Sequence, residues 1–557
     1  MLRPAPPPGR EAGGALDAGS SMGGAPASAA PFARDLALVT LAKAAVSALV
    51  LALGFRAVSD DDFARVVLAQ AWAHAPQVDP TGTSWLPVPF WLNGALFLLL
   101  APTLDVARAV AFALGLASAA LVYVSARWIT GDRRAALAGA LLAGAFPWSA
   151  CLGVATVPEL ATAALSLFAV ASLVTPPAGP APPAGRALLG ALALVLATLS
   201  RYEPWPVAVA FAALALLAAA RLGQGRAAQA KLALAALVAL AGPAAWIAWN
   251  RVAHGEALHF LARVAAYRNA VSPGGDGTLL RLFAYPAAMV REEPELFLSP
   301  IALALVAWRA RRGAAAPRRR ARAPRPFPPL LRAALPYALP GAVAAFQIAA
   351  LSLALVRDGA PTHHPERATL LALLLLALAV GDLTERAFRG ASSGARRALG
   401  GALLVVLFVG VVFRPHLRRE HFNPRTDEVA IGRAAAELTP PAAPVLVEVV
   451  DYGHLATLAA LGRPGGAHPD RSIDPRDPPI RSSFDDPASL ARRAADVGAA
   501  YLIGRVRPSV SAFAGPPLET RGAWGLWAAP APSTRAAPPA GPGDGAPGRA
   551  PSTEAAP

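Results

Sequence analysis

The chain has 557 residues, of which 55% are hydrophobic and 15% charged, with 51 basic and 35 acidic side chains and a formal net charge of +16. A soluble domain carries about 25% charged residues, so this composition excludes an ordinary cytosolic enzyme, and the mean hydropathy of +0.44 points to a membrane protein. The single cysteine, Cys151, excludes an internal disulfide framework and a cysteine-rich zinc site.

Residues 1–34 are rich in Pro, Gly and Ala, lack an apolar core, and are expected to form a disordered cytoplasmic leader. The first long apolar run, Leu36 to Phe55, is interrupted only by Lys43. It is too long for a cleaved signal and is expected to be a signal anchor. Further runs lie near 104–128, 135–151, 157–174, 187–200, 205–220, 232–249, 295–308, 329–356, 368–383 and 398–413. A crossing takes about 20 residues, so about eleven spans are predicted. The expected fold is mainly α, a polytopic transmembrane bundle over 35–415.

The basic residues give the orientation. With the N-terminus inside, the cytoplasmic connections hold Arg127, Arg133 and Arg134, then Arg186, then Arg221, Arg226 and Lys231, then Arg386, Arg389, Arg396 and Arg397. The connection from Arg309 to Arg332 alone holds nine arginines. The basic excess is therefore a topology signal and not a nucleic-acid footprint. This arrangement predicts a multi-pass inner (plasma) membrane protein whose C-terminal region is extracytoplasmic.

The first outward loop, 56–103, opens Ser59-Asp60-Asp61-Asp62-Phe63. Apolar residues recur there at Phe63, Val66, Val67, Ala71 and Trp72, the spacing of a helix lying on the membrane surface. Trp85, Pro87, Pro89 and Trp91 follow, with prolines that break a long span and indoles suited to the interface. Other outward connections present Glu159, then Arg201-Tyr202-Glu203, then His363-His364-Pro365-Glu366-Arg367. Beyond 420 the pattern changes. Asp427–Leu438 reads as a helix, Val445–Val450 as a strand, His454–Leu461 and Leu490–Val497 as helices, and Tyr501–Gly504 as a strand. That alternation predicts a small extracytoplasmic α/β domain over 420–529, followed by a disordered Pro/Ala/Gly tail at 530–557.

Aspartates beside a span are costly in the hydrocarbon, at about 2.5–3.5 kcal/mol each at a helix centre. Ionisable groups near helix ends are functional candidates by default. Carboxylates suit removal of a proton from a hydroxyl, and guanidinium forks suit phosphate oxygens. Together they suit displacement at a sugar's anomeric carbon with a lipid-linked phosphate leaving, inverting if the displacement is single.

The same residues carry a family resemblance. Asp60-Asp61-Asp62 after the first span resembles the acidic motif that opens the first outer loop of C-type (GT-C) integral-membrane glycosyltransferases. The relevant branch is the protein O-mannosyltransferase and aminoarabinose-transferase-like one. Trp85-Leu86-Pro87, Ser200-Arg201-Tyr202-Glu203 and His364-Pro365-Glu366-Arg367 resemble later motifs of that branch. The usual acidic pair is a triplet here, so which of Asp60, Asp61 and Asp62 is the base stays open, with Asp61 favoured and Asp60 next. The resemblance implies a polyprenyl-phosphate sugar donor within the bilayer and a glycan, lipid or protein acceptor. It implies Glu159 and Glu203 as hydroxyl-positioning groups, and Arg201, His364 and Arg367 on the phosphate side. Tyr202, His363, Glu366 and Trp85 complete the substrate-binding set. No cofactor is certain, and a divalent cation, Mg or Mn, held by Asp60 and Asp61 stays open. The alternative is a polytopic transporter or flippase of envelope lipid or glycan, whose acids would line a pathway through the membrane.

Overall fold

The computed structural model describes residues 29–530, apart from 83–84, 176–183, 222–224, 272–276, 314–333, 358–364, 390, 413–423 and 477. Most of the expected leader, nearly all of the tail, the arginine block at 318–332 and the His363-His364 pair lie outside the described residues.

The chain is mainly helical up to residue 412. In order come α1 (Ala29–Ala52), α2 (Asp61–His74), α3 (Val88–Leu99), α4 (Leu104–Thr130), α5 (Arg133–Ala145), α6 (Pro147–Leu152) and α7 (Glu159–Ser172). Then follow α8 (Ala184–Thr198), α9 (Pro204–Ala219), α10 (Arg226–His254), α11 (His259–Val271), α12 (Thr278–Glu292) and α13 (Pro294–Gly313). The series ends with α14 (Ala338–Val356), α15 (Pro365–Ala368), α16 (Leu370–Arg389) and α17 (Ser393–Val412).

Among the described residues, four helices are long and apolar enough to cross a membrane: Ala30–Ala52, Leu104–Thr130, Arg226–His254 and Leu335–Val356. By length and composition, these four match four of the eleven spans expected from the sequence. Several predicted runs are shorter apolar helices, such as Glu159–Ser172 and Ala184–Thr198. A helix of 14 residues is about 21 Å long, less than the hydrocarbon thickness of about 30 Å. Proline sets several of these lengths. The run predicted at 135–151 is split at Phe146-Pro147 into α5 and α6, since Phe146 is extended and Pro147 can only start the next helix.

The ends of the long helices are chemically marked. Thr103 caps α4, its hydroxyl accepting from Val106 N at 3.3 Å, and Gly131 closes it with a left-handed φ of 65°. Asp132 then caps α5 by accepting from the backbone N–H groups of Arg134 and Ala135 at 2.8 and 3.1 Å. Helices α5 and α16 cross closely, where a Cβ on Gly381 would stand 2.4 Å from Gly139 Cα, so only glycine fits.

Charged groups sort to two ends of the bundle. At one end Arg133 on α5 clasps Asp35 on α1 at 2.5 and 2.7 Å, and Arg389 on α16 reaches Asp132 at 3.0 Å. Arg186 at the start of α8 donates to Ser172 O at 2.9 Å. These are the basic side chains assigned to one side by the sequence. The start of α2, the start of α7 and the α8–α9 link lie at the other end.

The C-terminal part is a five-stranded sheet with order β2-β1-β3-β5-β4. Its elements are α18 (Thr426–Leu438), β1 (Val445–Val447), α19 (His454–Leu461), β2 (Ala467–Pro469), α20 (Pro487–Asp496), β3 (Tyr501–Arg505), α21 (Pro508–Ala514), β4 (Glu519–Arg521) and β5 (Trp524–Ala528). Strand β1 pairs in parallel with β2 and β3, while β5 runs antiparallel to β3 and β4. Helix α19 packs on α2, burying Phe63, Val66 and Ala69 against Ala456 and Ala459. The first part of the apolar stripe of α2, expected to lie on the membrane surface, is thus covered by protein, while Ala71 stays exposed.

Candidate active site

Four segments meet at the end of the bundle opposite Asp35 and Arg133: the N-terminus of α2, the N-terminus of α7, the α8–α9 link and α15. Asp62 sets the frame. Its carboxylate is buried and accepts backbone N–H bonds from Val58 at 3.0 Å, Ser59 at 3.3 Å and Thr156 at 3.0 Å. The Thr156 hydroxyl in turn donates to Asp62 O at 2.8 Å, tying α2 to the turn before α7. Burial pushes the Asp62 carboxyl up to about 6, against the pull of Arg367 and of its N–H donors.

Asp61 faces the other way. Its carboxylate receives Arg367 Nη1 at 2.8 Å, and its side chain is 33% exposed. Arg367, nearly buried, also donates from Nη2 to Ser59 Oγ at 2.8 Å and stands 3.7 Å from Glu159. Burial alone would lower the Arg367 guanidinium, but Asp61 and Glu159 outweigh it and hold the group above its ordinary value.

Glu159 is fully buried and receives Arg201 Nη1 at 2.7 Å. Arg201 is also clasped by Glu203, with contacts of 2.5, 2.9 and 3.0 Å, a geometry that fixes a guanidinium plane. Gln347 on α14 donates to Glu203 O at 3.0 Å. The result is a continuous chain of opposite charges, Asp61–Arg367–Glu159–Arg201–Glu203.

Sequence reasoning left out two participants. Arg65 on α2 is 6% exposed, and its charged neighbours are Glu159, Arg201, Asp61 and Arg367. Its guanidinium lies over the Trp85 ring at 4.4 Å, and its Nε and Nη1 are buried without hydrogen-bond partners among the described residues. The signal was available, because Arg65 is four residues after Asp61 and so shares its helix face. The second, Arg425, comes from the C-terminal domain. Its Nε and Nη2 clasp Asp60 at 3.0 and 2.9 Å, and its Nη1 lies 3.1 Å from Asp451. Hydrogen bonding to Asp60 and the nearby carboxylates hold the Arg425 guanidinium above its ordinary value. Nothing in the sequence pattern pairs two positions so far apart.

The structure thus gathers Asp61, Glu159, Arg201, Glu203, Arg367 and, through Arg65, Trp85. Asp60 turns away to Arg425. Tyr202 lies in an adjoining aromatic cluster, stacked on Phe260 at 5.0 Å between centroids and receiving Trp246 Nε1 at 3.2 Å. Glu366 O receives Trp148 Nε1 at 3.3 Å. His363 and His364 lie outside the described residues. Asp60 and Asp61 each engage a different guanidinium, and among the described residues no three His, Cys, Asp or Glu side chains converge as a metal-binding group. The pair does not by itself form the oxygen-rich donor set that Mg or Mn takes.

No protein-family model matches the chain, and no curated protein matches it. Solved structures do. ArnT from Cupriavidus metallidurans bound to undecaprenyl phosphate superposes with a TM-score of 0.57, covering 90% of this chain and 98% of that one at 13% identity. The apo form of the same protein gives 0.54 with the same coverage and identity. The chain has the ArnT fold. That is the polytopic membrane fold expected from the motif resemblance. The archaeal oligosaccharyltransferase AglB from Archaeoglobus fulgidus, in complex with an inhibitory peptide and a dolichol-phosphate, covers 84% of this chain and 69% of that one at a TM-score of 0.44 and 13% identity. An ArnT-like fold accounts for both parts of the molecule, because the alignment spans the bundle and the C-terminal sheet together.

Proposed function

We propose that the chain is a membrane glycosyltransferase that moves a sugar from a polyprenyl-phosphate donor to an extracytoplasmic acceptor hydroxyl. Asp61 is the general base. One observation carries this assignment: of the carboxylates in the charge chain, Asp61 alone is open to a substrate, with 33% of its side chain exposed against 0% for Glu159 and 6% for Glu203. Asp62 is consumed by backbone N–H groups, and Asp60 by Arg425. Glu159 and Glu203 fix Arg201 and Arg367, and Arg65 adds a guanidinium with unpaired N–H groups.

In the reaction, Asp61 takes the proton of the acceptor hydroxyl as its oxygen attacks the anomeric carbon. The bond from that carbon to the phosphate oxygen breaks, and the electron pair stays on the phosphate. Arg367, Arg201 and Arg65 neutralise the charge that develops there. A single displacement inverts the anomeric carbon. Undecaprenyl phosphate bound to ArnT supports a ligand of this class. The protein sits in the inner (plasma) membrane, with its N-terminus cytoplasmic and its C-terminal domain outside.

The test is transfer from labelled polyprenyl-phosphate sugars by the purified protein. Loss of a general base costs about 10²–10⁴-fold, so Asp61→Asn is expected to fall by that factor. Asp60→Asn is expected to retain more activity than Asp61→Asn. Wild-type transfer by Asp61→Asn would remove Asp61 from this role.

A further inference from the structure

A cavity of about 410 Å³ opens between the two parts of the molecule, and none of the residues of the charge chain described above lines it. Four arginines line it: Arg56 after α1, Arg108 on the second turn of α4, Arg433 on α18 and Arg521 at the end of β4. Glu437 is the one carboxylate among its lining residues. Like charges gather in this way against their mutual repulsion unless something offsets it.

What offsets it within the protein is partial. Arg433 reaches Asp105 at 2.5 Å and Arg521 reaches Glu519 at 3.1 Å, but Asp105 is 70% exposed and Glu519 31%. Arg56 is turned onto the carbonyls of Leu51 and Phe55 at 3.1 and 2.9 Å. Among the described residues Arg108 makes no hydrogen bond or ion pair, although Arg433, Asp105, Arg56 and Asp62 are its charged neighbours. The cavity therefore offers more guanidinium N–H donors than the protein satisfies, which is the chemistry of a phosphate receptor.

Its surroundings indicate where the phosphate comes from. The cavity stands at the outer ends of α1 and α4. On α1 and just after it, Leu49 and Leu53 are 58% and 64% exposed, and Leu99 and Leu100, which lead into α4, are 78% and 68% exposed. An apolar, lipid-facing flank thus runs directly into the arginine-lined opening. Guanidinium forks at a bilayer surface suit the phosphate of a lipid headgroup. We propose that this cavity binds the phosphate-bearing headgroup of an anionic membrane lipid, at a site separate from the proposed transfer site.

The test needs no transfer activity. The full-length protein is purified in detergent, and native mass spectrometry measures its retention of dioleoyl phosphatidic acid against dioleoyl phosphatidylcholine. Wild type is expected to retain the acidic lipid preferentially. Each arginine near a lipid surface contributes about fivefold in binding, so Arg108→Gln and Arg433→Gln are each expected to lower retention by about that factor. Arg521→Gln, on an exposed strand, probes the cavity without touching a membrane helix and is expected to show the same loss. Asp61→Asn is expected to retain the lipid as wild type does. Equal retention by wild type and all three arginine variants would overturn the site. Displacement of the lipid by equimolar inorganic phosphate would overturn the choice of a lipid, since a free anion would then suffice.

Discussion

A carboxylate as deeply buried as that of Asp62 is tolerated because three backbone N–H groups point at it, yet burial still raises its proton affinity to about 6. The direction of the linkage follows. Between the ordinary carboxylate value of about 4 and the folded value, the native state binds more protons than the unfolded one, so stability falls as pH rises through that window. The difference in stability between wild type and Asp62→Asn is therefore expected to change between about pH 4 and 6 and to level off above it. Denaturant midpoints in detergent across that range measure it, and a pH-independent difference would contradict the assignment. Arg65 has the opposite character. A buried guanidinium with two unpaired nitrogens is a cost in the folded protein, and replacing it with an apolar side chain of similar length is expected to be neutral or stabilising by about 1–2 kcal/mol. If Arg65 is kept for the departing phosphate, Arg65→Met raises or preserves the melting temperature while transfer falls by about 10²-fold or more. Loss of both together would mean that Arg65 is only structural.

At the scale of elements, α2 is where the sequence was most and least informative. Its 3.6-residue periodicity and acidic start were legible, and the helix runs over Asp61–His74. Its covering partner was not, because periodicity marks an apolar face without naming what lies on it. Helix α19 does, and Arg425 adds a polar clasp on Asp60, next to the proposed base. The predicted strands Val445–Val450 and Tyr501–Gly504 are present as Val445–Val447 and Tyr501–Arg505. Strands β2 and β4, three residues each, are too short for alternation to register. Arg425 is also held at a positive φ of 58°, a strained conformation for a residue with a Cβ. Arg425→Gly would relieve that strain and remove the clasp, whereas Arg425→Lys keeps the charge and loses the fork. If the clasp positions the catalytic loop, Arg425→Gly is expected to reduce kcat by about tenfold with KM nearly unchanged, and Arg425→Lys to fall between it and wild type. A Gly variant as active as wild type would leave the contact with a purely structural role.

The whole molecule separates its charges by end, and that separation bears on the proposed topology. Asp35, Arg133, Asp132 and Arg389 join α1, α4, α5 and α16 at one end, while Asp61, Glu159, Arg201 and Arg367 meet under the C-terminal domain at the other. In the proposed orientation the first end faces the cytoplasm, as the positive-inside rule expects. The chain is well suited to a direct test, because its single cysteine, Cys151, is buried and gives little background to a thiol reagent. Ala227, in the first turn of α10, and Thr520, on β4, are both exposed and lie at opposite ends. With a membrane-impermeant maleimide on intact spheroplasts, Thr520→Cys is expected to label at once and Ala227→Cys only after detergent. The reverse pattern would put Asp61 and its arginines on the cytoplasmic side. The proposed acceptor would then be on the wrong side of the membrane, and the outward-facing transfer reaction would fail with it.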